Sequence, residues 1–394
     1  MEENVLKEIG VLEVHCHVKF LYTICEICKT KNSNVTIFTT KDLFSRLEKY
    51  LENKEDYNVV LKKDNEGIHS FLKRVEKICD EKIDLLFINT IQLSCFYLPR
   101  FFGFHPKSKT IMTVHTANAW LKPKLVFNIR KIVRTIDTNL SSFIASKFIL
   151  PKFDAINVIY PPIKDYILEE TSYNKKIFTL PFNFFDEGNK VKEVENKKIQ
   201  FVIPGQIEEH RRDYNVLLNA FENLFKKYNE NIDLYMLGYP VGIYGNRILR
   251  RCKKLKDMGY NIRYFDSFVP EKTYDEIMKK VDFIIVPIRI KSRGMGIIPE
   301  IYGITKGSSV VFEGIQYGKP LVVPEKFNMI KELKSSTLKY TGSKDLEKIL
   351  IEYIESRKKL KELKQEAYKN SKYFSLNVLQ EYFINEILNK LDNL

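Results

Sequence analysis

"GSSVVFEGIQYGKPLVVP", residues 307–324, is the stretch whose reading decides the fold. Ser308 or Ser309 suits a helix N-cap. Gly318 suits a left-handed C-cap, and Pro320 blocks continuation, so a helix is predicted up to about Tyr317. The apolar "LVVP" that follows reads as a buried strand. A short helix feeding a buried strand is the unit of a parallel α/β sheet.

The same alternation runs outward in both directions. Strands are predicted at 9–14, 34–40, 58–63, 83–90 and 110–115, with helical spacing at 18–30 and 68–82. The pattern blurs near 165–200, and the charged "DEGNKVKEVENKK" at 186–198 reads as a linker. A second alternation begins at 199, with strands at 199–205, 232–238, 261–268 and 282–288. Helices are expected at 213–228, 246–259 and 273–281, and the chain reads as helical after about 343. A chain of 394 residues is also too long for one ordinary core. The expected class is α/β, with two Rossmann-like doubly wound parallel-sheet domains facing a cleft. The N-terminal domain is placed at 1–190 and the C-terminal domain at 199–375, with 376–394 packing back on the first. Open parallel sheets bind ligands beyond the carboxyl ends of their strands, so the cleft is the expected site.

This helix, entered at Ser308 or Ser309, presents unpaired backbone N–H groups and the positive end of its dipole at its entrance, where phosphates bind readily. Gly307 leaves room for an anion there, Lys306 adds positive charge, and Ser308 and Ser309 supply N–H groups. Glu313 lies one turn above Ser309 among apolar neighbours, where an unpaired carboxylate is costly. It either reaches water or accepts specific hydrogen bonds, as from a ribose diol. Gly314 inside the helix indicates close packing or ligand approach.

With its surroundings, the segment resembles the donor site of the family 4 type of glycosyltransferase, which has the GT-B fold. The resemblance is clearest over 199–324. "FEGIQYGKP" (312–320) is similar to the second half of that family's two-glutamate motif, making Glu313 the ribose-binding acid. The first acid is out of register: Thr305 stands eight residues before Glu313, and the nearest acid, Glu300, reaches the donor sugar only through a longer loop. "PGQIEEHRRDY" (204–214) resembles the family's Gly-Arg…Lys element. Gly205 matches, Gln206 replaces the arginine, Arg211 falls at the lysine position, and Arg212 is adjacent. An arginine fork pairs well with phosphate oxygens. Gly238 would let the backbone approach a ligand, and Phe268 and Val269 of "SFVP" resemble the loop that holds the base. In the N-terminal half the resemblance gives His115 a place against the donor sugar or phosphate. "EVHCHVKF" (13–20) replaces the family's Gly-rich loop, with His15 or His17 available as a base.

The resemblance implies hexosyl-type transfer from a nucleotide-diphosphate sugar to a glycan or lipid-linked saccharide, retaining and metal-independent, with no cofactor beyond the co-substrate. N–H groups at 308–310, Lys306 and Arg211 would stabilise the departing pyrophosphate. A base at His15 would instead make inversion plausible.

The net charge of +14 favours polyanions. From His105 to Arg134 there are seven Lys or Arg and no acid, with Trp120 among them. This suits an anionic membrane surface, or a solvated basic helix with Trp120 in the core. Cys25 and Cys28 fall on a helical apolar face and read as core, and no metal site is expected. A cytoplasmic location is expected, with peripheral association at the inner face of the membrane. No nucleic-acid-binding signature accompanies the charge. The alternatives are a catalytically inactive GT-B-like assembly subunit and a nucleotide-sugar epimerase.

Overall fold

The computed structural model describes residues 6–123, 125–128, 132–189, 197–292 and 298–393. Its central strands are short apolar runs buried on both faces, the pattern of a parallel sheet covered by helices. Seven of them, β1 (Lys7–Glu13), β2 (Ser33–Thr39), β3 (Tyr57–Leu61), β4 (Leu85–Ile88), β5 (Lys109–Val114), β6 (Ala155–Val158) and β7 (Lys176–Thr179), pair in the order β3-β2-β1-β4-β5-β6-β7. Every pairing is parallel. The helices of this domain are α1 (Val18–Cys28), α2 (Lys41–Leu47), α3 (Ile68–Lys82), α4 (Ala117–Leu121), α5 (Ile132–Ile144) and α6 (Pro161–Glu170).

The second domain repeats the plan with β8 (Ile199–Pro204), β9 (Ile232–Leu237), β10 (Ile262–Tyr264) and β11 (Phe283–Ile285). A short antiparallel pair, β12 (Lys291–Ser292) and β13 (Glu300–Ile301), precedes β14 (Leu321–Pro324) and β15 (Thr337–Tyr340). The six-stranded sheet runs β10-β9-β8-β11-β14-β15, again all parallel. Its helices are α7 (Tyr214–Tyr228), α8 (Gly242–Asp257), α9 (Glu271–Lys280) and α10 (Ser309–Tyr317), followed by α11 (Ser343–Glu355) and α12 (Arg357–Ser371).

The chain then returns to the first domain. In α13 (Leu376–Tyr382), Gln380 donates to the carbonyls of Glu26 and Lys29 at 2.9 and 2.6 Å. The Phe383 ring lies 6.0 Å from that of Phe87. The outgoing and returning strands touch where the Phe185 N–H donates to the Phe374 carbonyl at 2.8 Å.

One reading changes. The stretch near 165–179, where the sequence pattern blurs, holds ordered α6 and edge strand β7. Of the expected linker, 190–196 lies outside the described residues. Trp120 is buried in α4 and the Cys25 and Cys28 thiols lie in the core, as their core readings have it. No described helix is long and apolar enough to cross a membrane.

Candidate functional site between the two domains

Helix α10 forms as its sequence dictates: Ser308 occupies the N-cap position and Gly318 the C-cap at φ 61°. The Ser308 side chain makes no capping bond, and Ser309 is exposed. Gly307 is not open to an anion on its Cα side. A side chain there would press on Ile159 and Tyr160 of the first domain at 3.3 Å. Gly314 is explained by close packing, because a Cβ would collide with Leu321 of β14.

Glu313 points into the domain junction. The residue is half-buried, but its carboxylate is enclosed and Oε2 has no hydrogen-bond partner. Burial pushes its carboxyl above the usual range, opposed by the Lys19 ammonium, the Tyr274 hydroxyl and the Arg212 guanidinium. Lys19 comes from α1 of the opposite domain and lies 5.5 Å from the Tyr274 ring centre. Neither Lys19 nor Tyr274 is legible as a partner from the sequence.

Gly205 and Gly238 serve the chain itself. Gly205 has φ +91°, and a Cβ on it would overlap the Arg212 guanidinium. A Cβ on Gly238 would overlap the Gly205 carbonyl, so the ends of β8 and β9 meet at a distance only glycine permits. Arg212 is pinned beneath this crossing, donating to the Pro204 carbonyl and, at 3.2 Å, to the Tyr214 hydroxyl. Arg211 pairs with Glu208, and Gln206 donates to the Tyr239 hydroxyl. In the 267–270 loop Val269 is buried, whereas Phe268 is 76% exposed with its ring 6.4 Å from that of Tyr239.

Lys306 stands at the entrance to α10 with its ammonium 5.5 Å from the Tyr302 ring centre. Burial, then the neighbouring Arg211, holds its pKa down. It also lies within electrostatic reach of His17 and His115 across the junction. His115 is half-buried, and burial of its ring lowers its pKa to about 3, so the ring is neutral. Its Nε2 donates to the Asn89 carbonyl at 3.0 Å. Burial lowers His17 to about 4 and also lowers His15.

Glu300 spans the two domains. Its Oε1 accepts from the Ala119 N–H of α4 at 3.2 Å and its Oε2 from the Thr305 hydroxyl. The Ala117 N–H donates to the Thr305 carbonyl at 2.9 Å, and the Tyr160 hydroxyl to the Asn328 carbonyl at 2.6 Å. The acid expected beside a donor sugar is thus already occupied as an interdomain tie, with its carboxyl lifted to about 7 by burial.

A second buried carboxylate, Glu13, is not among the site residues expected from the sequence. Glu13 ends β1, where its Oε1 accepts from the His15 N–H at 2.6 Å and the Cys16 N–H at 3.3 Å. Its Oε2 is buried without a partner, as are both side-chain polar atoms of Asn89 and the Tyr97 hydroxyl. An acid closing the apolar run "IGVL" was the available signal. Among the described residues no group of His, Cys, Asp and Glu is arranged to hold a metal.

No family model matches the chain. A 95-residue stretch is 38% identical to an NADPH-dependent 7-cyano-7-deazaguanine reductase of Caldanaerobacter subterraneus, covering 23% of this chain and 67% of that protein. That likeness leaves three quarters of the chain unaccounted for. The whole chain is similar to solved structures. S. aureus TarM in complex with fondaparinux, α-GlcNAc-glycerol and UDP has a TM-score of 0.64 at 10% identity, covering 96% of this chain and 99% of that one. Anabaena HepE in complex with UDP and glucose has a TM-score of 0.63 at 13% identity, covering 98% and 100%. A UDP-N-acetylglucosamine 2-epimerase has a TM-score of 0.52 at 10% identity, covering 99% and 98%. At these identities the likeness is one of fold. Two all-parallel Rossmann-like sheets, joined across a junction that carries the buried charges, give this chain the GT-B fold.

Proposed function

We propose that this chain transfers a sugar from a nucleotide-diphosphate sugar to an acceptor hydroxyl, with retention and without a metal ion. The observation that carries the reading is Glu313: a buried carboxylate with one oxygen unpartnered, one helical turn above the entrance of α10. Buried polar groups are almost always hydrogen-bonded, so an unpartnered oxygen points to a missing donor. A ribose diol supplies two donors. The pyrophosphate of the same nucleotide then lies toward the N–H groups of α10, Lys306 and Arg211, which offset the charge it gains on departure. His115, neutral and held by the Asn89 carbonyl, serves as an uncharged wall of the donor site. Phe268, exposed beside Tyr239, offers the base an aromatic face. The acceptor is a saccharide, free or lipid-linked.

The test is calorimetric titration with UDP, ADP and GDP, with NADPH as the control suggested by the partial reductase likeness. One nucleoside diphosphate should bind. Glu313→Gln should weaken it at least tenfold, because a hydrogen bond to a charged group contributes about 1.5–3 kcal/mol. Absence of nucleotide binding, or equal binding by the variant, refutes the reading. An epimerase shares this fold, which keeps epimerisation as the second reading. Conversion of a nucleotide sugar without any acceptor would establish it.

A further inference from the structure

Helix α5 is turned inside out. Its polar side chains face the protein: Thr135, Thr138, Ser141 and Ser142 are buried. They have inward partners, Thr135 donating to the Asn128 carbonyl at 3.2 Å and Ser142 to the Ala119 carbonyl. Asp137, its only acid, accepts from the Cys95 N–H at 2.9 Å, and Asn139 is tied to the backbone of Val126. Its apolar side faces outward, with Val133 75% and Ile136 60% exposed and Leu140 and Phe143 nearly half exposed. Positions 133, 136, 140 and 143 make one helical stripe.

The stripe continues beyond the helix. The Phe143 ring lies 6.0 Å from Phe148, which lies 6.3 Å from Phe102. Ten of the eighteen exposed large hydrophobic side chains among the described residues fall between Phe96 and Phe148. A surface helix in water normally does the reverse, and patches of this extent mark interaction surfaces. Charge identifies the occupant. Between Arg100 and Lys152 the sequence has ten Lys or Arg against Asp137 as the single acid, and that acid is turned inward. Arg134 is exposed in the first turn of the same helix. A second copy of this face would bring like charges together, which disfavours self-association. An apolar stripe rimmed by cations suits the boundary between acyl chains and anionic headgroups.

We propose that this face docks the N-terminal domain onto an anionic lipid bilayer, with Val133, Ile136, Leu140 and Phe143 entering the headgroup–acyl boundary. Trp120 has no part in it, being buried in α4. The docking stands whether or not the chain transfers sugars, and its test needs neither nucleotide nor acceptor.

The experiment is co-sedimentation of the full chain with phosphatidylcholine vesicles, with and without roughly one third phosphatidylglycerol. The chain should pellet with the anionic vesicles, weaken with salt, and stay largely free with phosphatidylcholine alone. Ile136→Ser with Phe143→Ser should weaken binding at least tenfold with an unchanged circular dichroism melt, since both side chains are exposed. Arg134→Gln, which cannot disturb the core, should weaken it roughly fivefold. Failure to bind anionic vesicles, or equal binding by the serine variant, overturns the proposal. So does a solution dimer that the serine variant dissolves, because the face would then be an interface between copies of the chain.

Discussion

Glu13→Gln isolates what the buried carboxylate at the end of β1 costs the fold. Burial lifts this carboxyl from 4.5 to about 7 against the opposing hydrogen bonds of Thr90, His15 and Cys16. A carboxyl whose folded pKa lies above its unfolded one is protonated in the fold where the unfolded chain has already ionised. Its contribution is therefore most favourable below pH 4.5, worsens as pH rises to about 7, and then levels. The full penalty above pH 7 is about 3 kcal/mol, at 1.36 kcal/mol per pH unit of separation. At roughly 2–4 °C per kcal/mol for a domain of this size, it amounts to on the order of 6–12 °C. Glutamine keeps an acceptor for the His15 and Cys16 N–H groups and carries no charge. The variant should melt close to the wild type at pH 5 and well above it at pH 8.5, by differential scanning calorimetry of the whole chain. Equal differences at the two pH values would show that the Glu13 site is solvated and that the buried-carboxylate account is wrong.

Gly238→Ala forces a Cβ into the Gly205 carbonyl and should cost about 1–3 kcal/mol. Chemical denaturation reads this, and an unchanged midpoint would mean that the ends of β8 and β9 do not meet as described. Glu300→Ala removes the acceptor of the Ala119 N–H and the Thr305 hydroxyl across the domains. It should loosen the junction, giving a larger radius of gyration in small-angle scattering of the unliganded chain; an unchanged radius would assign the tie no role in closure.

What was legible in the sequence was local. The spacing of Ser308, Gly318 and Pro320 fixes α10 because caps and breakers act within a few residues. The alternation of apolar runs with amphipathic stretches gives two parallel sheets for the same reason. The partners of Glu313 were not legible: Lys19 lies in the opposite domain and Tyr274 on another helix, and no periodicity encodes that meeting. Gly238 announces close approach but not to what, and the answer is the Gly205 carbonyl. The orientation of α5 was hidden for a different reason. A periodic pattern shows that a helix has an apolar side, but not whether that side faces the core. The exception is thus visible only once the neighbours of Thr135, Asp137 and Ser142 are known.

The buried polar atoms that lack partners are concentrated, and their position bears on the chemistry. Eight such side-chain atoms occur among the described residues, and five belong to Glu13, Asn89, Tyr97 and Glu313. Glu13 ends β1, and Asn89 follows β4 directly, bonding by its N–H to the Leu12 carbonyl at 3.0 Å. Both therefore lie at the carboxyl end of the first sheet, where parallel sheets take ligands. The two sides of the junction differ in charge. Lys306 and Arg211 stand at the entrance of α10, with Lys19 reaching Glu313 from the first domain, whereas the carboxyl end of the first sheet presents Glu13 with His17 and His115, whose burial keeps both rings neutral at physiological pH. On the proposed reading, this asymmetry assigns the substrates. The anionic donor belongs with the guanidinium and ammonium groups, and the partner opposite it should be an uncharged polyol, because a phosphate set against Glu13 would meet a carboxylate and two neutral imidazoles. The exposed stripe of α5 adjoins this wall through Asp137 and Cys95, two residues from Tyr97. An acceptor whose sugar is neutral and whose anchor is a lipid would satisfy both surfaces at once.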